Sequence, residues 1–274
     1  MSDQSSGASA DTARSPRDAA SVPSEPSEWT AGEVRTLHDE LVELYEPVER
    51  ADRDEADGGD GEDGDADGDD GGEHGTDAEA RGVRQLVTTI LSQNVADENT
   101  RRAAENLFDT YADYREIEDA PLSELAETIR VAGLPETKAE RIQRALTAIR
   151  EETGGAYSLA FLDALPTDEA KTWLTDIKGI GPKTASVVLN FHFGKPTMAV
   201  DTHVERVSKR FGLVAETASN QAAHDTLDEV VPDELKYPLH VLLIRHGRTY
   251  CTARSPDCDN PVCAVYCDCD TCGE

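Results

Sequence analysis

The sequence predicts an all-α protein, on three observations. From Val83 onward apolar residues recur at helical spacing, as in Val83, Leu86, Val87, Ile90 and Leu91, which share one face of a helix. Glycines at Gly133, Gly154-Gly155, Gly194 and Gly247 fall where these runs would end. No stretch shows the apolar-polar alternation of a half-buried strand, and no internal repeat is present.

Residues 1–27 are Ser, Ala, Asp and Pro with almost nothing to bury, and a disordered tail is expected. Order begins in the segment 28–50. Thr30 with Glu33 makes a capping box, Trp29 can staple onto Val34, and Val34, Leu37, Leu41 and Leu44 give a helix face. The segment 51–80 is a block of Asp, Glu and Gly. Its like charges and glycines forbid a packed core, so it reads as a disordered, solvated insertion, dispensable for chemistry, rather than a DNA mimic or cation site.

Further helices follow near Thr100–Phe108, with Arg101 and Arg102, and from Pro121 to Ala132. Lys138 to Arg150 turns Ala139, Ile142, Leu146 and Ile149 inward, leaving Lys138, Arg141 and Arg144 on other faces. Thr167 can cap a short helix through Trp173. Helices are also expected at Thr202–Phe211, Gln221–Val230 and Lys236–His246, the last closed by Gly247.

Asp and Glu number 56 and Lys and Arg 26, a formal net charge of −30. A nucleic-acid-binding chain ordinarily shows a basic footprint. The balance therefore indicates either a protein that avoids nucleic acid or the acidic surface general to halophilic proteins. The second reading fits better, because basic residues survive near the motifs below while acid is piled elsewhere. At molar salt the Debye length is about 3 Å, so repulsion from a distant polyanion is hardly felt. No apolar run is long enough to span a membrane, and no signal-peptide pattern opens the chain.

The stretch richest in chemistry is Ile177 to His203, IKGIGPKTASVVLNFHFGKPTMAVDTH. Gly179 and Gly181, one apolar residue apart, make a tight hairpin of bare backbone. Pro182 suits the first turn of a helix running to Phe193. Exposed N–H groups at the hairpin and helix start form an anion site, and a DNA phosphate is the obvious anion. The positive end of the helix dipole disfavours an ammonium at Lys183, which makes that residue a usable amine nucleophile. Asp201 is placed to cap the next helix.

This stretch resembles the helix-hairpin-helix core of the endonuclease III family of DNA glycosylases, and two further motifs extend the resemblance from about Val83 to Cys269. It implies two helical domains with a DNA cleft between them. One is a six-helix barrel carrying the helix-hairpin-helix at 81–195. The other is an iron–sulfur cluster domain at 196–274, on which the helix of 28–50 packs. It also implies that Lys183 and Asp201 are catalytic and that Gly179 and Gly181 meet DNA.

In LSQNVAD, Leu91 to Asp97, the family carries a glutamine that enters the gap left by a flipped base. An ungapped match puts Asn94 there, with Gln93 just before it, so either side chain is a candidate. In VAGLPETKAERI, Leu134 matches a leucine wedge; a leucine buried at a helix corner is the plainer reading. Lys138 beside it can reach a phosphate. His203 resembles a third gap-side residue, and a plain surface histidine fits it nearly as well.

All six cysteines lie between Cys251 and Cys272, a crowding that suggests metal rather than disulfides. Their spacing alone does not choose between structural zinc and an iron–sulfur cluster. The resemblance favours a [4Fe–4S] cluster on Cys251, Cys258, Cys263 and Cys269, with Cys267 as alternative fourth ligand. Four residues separate Cys258 from Cys263, against two in the family pattern.

The function so implied is a bifunctional DNA glycosylase and AP lyase of base excision repair, a cytoplasmic, nucleoid-associated monomer. It would act on double-stranded DNA with oxidised pyrimidines or abasic sites. The rivals are a mismatch-specific glycosylase, which Lys183 argues against, and a non-catalytic DNA-binding module, which Asp201 argues against.

Overall fold

The computed structural model describes residues 29–48 and 78–267, the side chains of 78–80 excepted. The helices in chain order are α1 (Ala31–Tyr45), α2 (Ala78–Leu91), α3 (Asp97–Thr110), α4 (Tyr114–Asp119), α5 (Leu122–Thr128), α6 (Pro135–Glu152), α7 (Phe161–Ala164), α8 (Thr167–Asp176), α9 (Pro182–Val187), α10 (Thr202–Arg210), α11 (Asn220–Val230), α12 (Lys236–Thr249) and α13 (Pro261–Tyr266). No strand occurs among the described residues. The expected tail, most of the acidic insertion, and Cys269 and Cys272 lie outside them.

Two apolar cores form. The first gathers side chains from Val83 to Leu189, hence α2 through α9, with Leu86, Ile90, Leu107, Ile117, Leu146 and Leu174 fully buried. The second gathers Met198 to Tyr266 together with Trp29, Val34, Leu37 and Leu41 of the N-terminal segment. Each fully buried leucine or isoleucine contributes about 1.5–3 kcal/mol. The chain therefore starts in one unit, builds the other, and returns. Val187, Phe191, Ala199, Tyr237 and Val241 form a small core at the junction.

Local chemistry explains where helices begin. Thr30 Oγ1 accepts from Glu33 N at 3.3 Å while the Glu33 carboxylate accepts from Thr30 N at 2.7 Å, the expected capping box. Asp113, Ser219 and Asn260 cap α4, α11 and α13 through their side chains.

Several expectations are corrected. The helix expected at Pro121–Ala132 stops at Thr128, and a 3₁₀ turn, Arg130–Ala132, completes it. Pro166, not Thr167, precedes α8. The helix after the hairpin does not run uniformly: α9 gives way to a π-helical turn, Val188–His192. Gly247 does not close α12, which continues to Thr249, because that glycine is where α12 crosses α10. Lys138 is not on an outer face but 1% exposed, because loops fold over it.

The linker between the cores is held at several points. Asn190 Nδ2 donates to Thr197 O at 2.6 Å, and Thr197 Oγ1 donates to Ser186 O at 2.9 Å. Asp228 of α11 accepts from Met198 N at 2.6 Å and pairs with Lys171 of α8. These bonds fix the segment leading to Asp201 against the helices leading out of the hairpin.

Candidate active site

The hairpin is built by two constraints. Gly179 has φ +105°, a conformation that side chains rarely adopt, and Ile180 N closes the turn onto Ile177 O at 2.9 Å. Arg141 of α6 lies across Gly179, and Arg144 donates to Lys178 O at 3.0 Å, so α6 braces the turn from behind. Gly181 differs. It is exposed, and a Cβ there would meet nothing within 4 Å. Its bareness serves no contact inside the chain and leaves backbone open to an outside partner.

Gly181 starts α9 with no side-chain cap, Pro182 takes the first helical position, and Lys183 follows half-buried. Asp201 caps α10: its Oδ1 accepts from His203 N at 2.8 Å and from Val204 N at 2.7 Å. Both bonds fall on one oxygen, which leaves Oδ2 free to act on something else. His203 is half-buried beside Arg206, its Nδ1 3.1 Å from Nη2. Arg206 is itself anchored on Gly247 O and Cys251 O.

The loop after α2 separates the two residues that the sequence left open. Gln93 is half-buried; its Nε2 donates to Thr184 Oγ1 at 3.1 Å and its Oε1 accepts from Arg141. It is thereby tied to the residue next to Lys183. Asn94 is exposed, with φ +57°. Leu134 is 64% exposed, with φ +48°. A buried corner leucine is therefore excluded, and the left-handed backbone of a leucine costs roughly 1–2 kcal/mol. Gly133 lies against Val95, a Cβ there falling 3.8 Å from Val95 Cγ2, so the Asn94 and Leu134 loops stand side by side.

From the sequence Lys138 has only a weak claim to a phosphate contact, an ordinary exposed lysine fitting better. Instead its Nζ donates to Leu91 O at 2.6 Å and Ala132 O at 2.7 Å. Burial, with Arg141 alongside, lowers it to about 8.

At the C-terminal end, Cys251 and Cys263 are buried and Cys267 half-buried. Arg210 Nη1 donates to Cys251 Sγ at 3.0 Å, and His246 Nε2 lies 3.2 Å from Cys263 Sγ. A hydrogen bond with Cys267, then burial, pushes the Cys263 thiol up. Cys258 is disulfide-bonded. Among the described residues no group of three side chains is arranged to hold a metal ion. Arg210, a charged donor on buried Cys251 Sγ, nonetheless suits a thiolate ligand.

Sequence reasoning missed Arg141 and Thr184 as parts of the site, and gave Lys138 a phosphate for a partner where the fold supplies two carbonyls. Only the spacing of Lys138, Arg141 and Arg144 along α6 hints at a polar face there.

An open glycine hairpin between α8 and α9 is the helix-hairpin-helix arrangement that the sequence resembles. The comparisons agree. Residues 87–233 match the HhH-GPD superfamily base excision DNA repair protein family. Endonuclease III of Thermotoga maritima is 34% identical over 68% of this chain and 82% of its own. That of Bacillus subtilis is 38% identical over 63% of this chain and 74% of its own. A trapped endonuclease III–DNA covalent intermediate is similar in structure, with a TM-score of 0.66 and 28% identity over 87% of this chain and 96% of that one. The chain belongs to the HhH-GPD superfamily of base excision DNA repair proteins. It is a DNA glycosylase that binds DNA through an all-helical fold. No helix among the described residues is long and apolar enough to cross a membrane.

Proposed function

We propose that the protein is a bifunctional glycosylase and AP lyase acting on oxidised pyrimidines and abasic sites in double-stranded DNA. The reading rests on two separate observations: Lys183 lies in the first turn of α9 beside an open hairpin, and Asp201 caps α10 through Oδ1 alone, leaving Oδ2 unspent. The hairpin backbone at Gly179 and Gly181 would hold a phosphate, and Leu134 would enter the base stack to aid extrusion of the damaged nucleotide.

Lys183 Nζ attacks the anomeric carbon. The N–C bond forms as the bond to the base breaks, the base leaves with the bonding electrons, and it takes up a proton. Asp201 stabilises the positive charge on the sugar and moves protons between the amine and the ring oxygen. Ring opening gives an imine. Loss of the neighbouring sugar proton then expels the 3′ phosphate by β-elimination. Asn94, exposed beside Leu134, is assigned the gap left by the base, and Gln93, held next to Lys183, the wall of the pocket. His203, in the first turn of α10 after Asp201, is assigned a DNA contact.

We assign a [4Fe–4S] cluster to Cys251, Cys258 once reduced, Cys263 and one of Cys267 or Cys269. It would supply a cross-link holding the C-terminal loop. Iron content and a visible absorption band test it.

Borohydride trapping on duplex DNA with thymine glycol or an abasic site tests the chemistry. Wild type forms a covalent adduct and Lys183→Ala forms none; an adduct that persists in the variant refutes the lysine's role.

A further inference from the structure

We propose that Lys138 is a positioning residue that fixes the distance between the two loops meant to enter the duplex. The inference rests on the proposed reading of Asn94 and Leu134 as gap and wedge residues. Lys138 sits one turn into α6 and is 1% exposed. Its Nζ donates to Leu91 O, the last residue of α2 before the Asn94 loop, and to Ala132 O, two residues before Leu134. Its backbone N donates to Leu134 O at 3.0 Å.

Each acceptor ends a helical segment: Leu91 closes α2, and Ala132 closes the 3₁₀ turn. Their carbonyls lack the partners that an interior helical position supplies. An ammonium group between them satisfies both at once and pulls the two stems to one point. The loops then lie side by side at Val95 and Gly133, where a Cβ on the glycine would fall 3.8 Å from Val95 Cγ2. From this point each loop turns outward through one residue in the left-handed region, Asn94 on one side and Leu134 on the other. Such residues hold their direction only where the surroundings over-determine them. A lysine with two short bonds to the stems is that constraint.

The consequence concerns duplex DNA alone. Prying a base from a stack needs both loop tips at a set separation, and misplacement by an ångström remote from the chemistry can cost about 100-fold. An abasic site in single-stranded DNA has no stack to pry.

The test compares Lys138→Met, which removes the donors, with Lys138→Gln, which keeps two N–H donors, and with Leu134→Ala. Each is assayed in single turnover on thymine glycol in duplex DNA and by borohydride trapping on a single-stranded abasic oligonucleotide. Lys138→Met is expected to lose about 100-fold on the duplex and little on the single strand. Lys138→Gln recovers part of the duplex rate, and 2-aminopurine opposite the lesion brightens less with Lys138→Met than with wild type. Equal losses on both substrates, or none on the duplex, overturn the positioning role. Should Leu134→Ala leave duplex excision unchanged, the wedge reading itself fails; should Leu134→Ala alone lose it, only the role of Lys138 fails.

Discussion

Arg141 lies so close along Gly179 that a Cβ at position 179 would sit 2.6 Å from its Cγ. The hairpin of one motif and the helix of another are thus parts of a single packed object. Gly179→Ala meets this contact and an unfavourable φ together. A loss of roughly 1–3 kcal/mol of stability is expected in denaturant unfolding, with DNA binding weakened as well.

Gly181→Ala separates folding from binding. With open space around the site and φ −95°, its stability should stay within about 0.5 kcal/mol of wild type. Its affinity for duplex DNA should fall, because the new methyl group stands where a phosphate would approach. Unchanged affinity in a titration would show that DNA does not approach there.

Asp201 can be divided in the same way. Asp201→Asn keeps an oxygen for His203 N and Val204 N, so stability should hold while excision falls about 100-fold or more. Asp201→Ala should lose activity and a further ~1 kcal/mol of stability with the cap. Melting curves beside single-turnover rates distinguish the two.

Leu134 carries strain that its own packing does not offset. Leu134→Asn tolerates the left-handed backbone better, and stability should rise by up to about 1 kcal/mol while duplex excision drops. A variant both less stable and fully active would contradict this.

The buried Lys138 gives a pH signature. Its folded value near 8 lies below the ordinary 10.5, so between these the unfolded chain binds a proton that the folded chain lacks. Unfolding free energy therefore rises with pH across that window, and below pH 8 the burial cost is present in full. Relative to Lys138→Met, wild type should gain roughly 2 kcal/mol from pH 8 to pH 10. Urea unfolding at three pH values checks it; a flat difference rules it out.

Gly247 illustrates what local patterns hide. A glycine late in an apolar run reads as a helix stop, yet α12 continues through it because a Cβ there would lie 2.9 Å from His203 Cβ. Gly247→Ala should cost about 1–3 kcal/mol by pushing α10 and α12 apart.

Local patterns were not enough to read the short α4, α7 and α13, but they were enough to read most of the longer helices, the capping box at Thr30, the Gly-x-Gly hairpin and the carboxylate of Asp201 at a helix start. All of these arise from chemistry between residues a few positions apart. Tertiary structure alone decided which way the polar faces of α6 look. Lys138 and Arg141 appear exposed by periodicity, but the loop after α2 folds over them from 47 and 48 residues away. It also set Gln93 and Asn94 apart, tying Gln93 to Thr184 from 91 residues away while Asn94 stays exposed. Short-range rules carry no term for such partners, and a buried charge keeps its place only where the whole fold brings the acceptors to it.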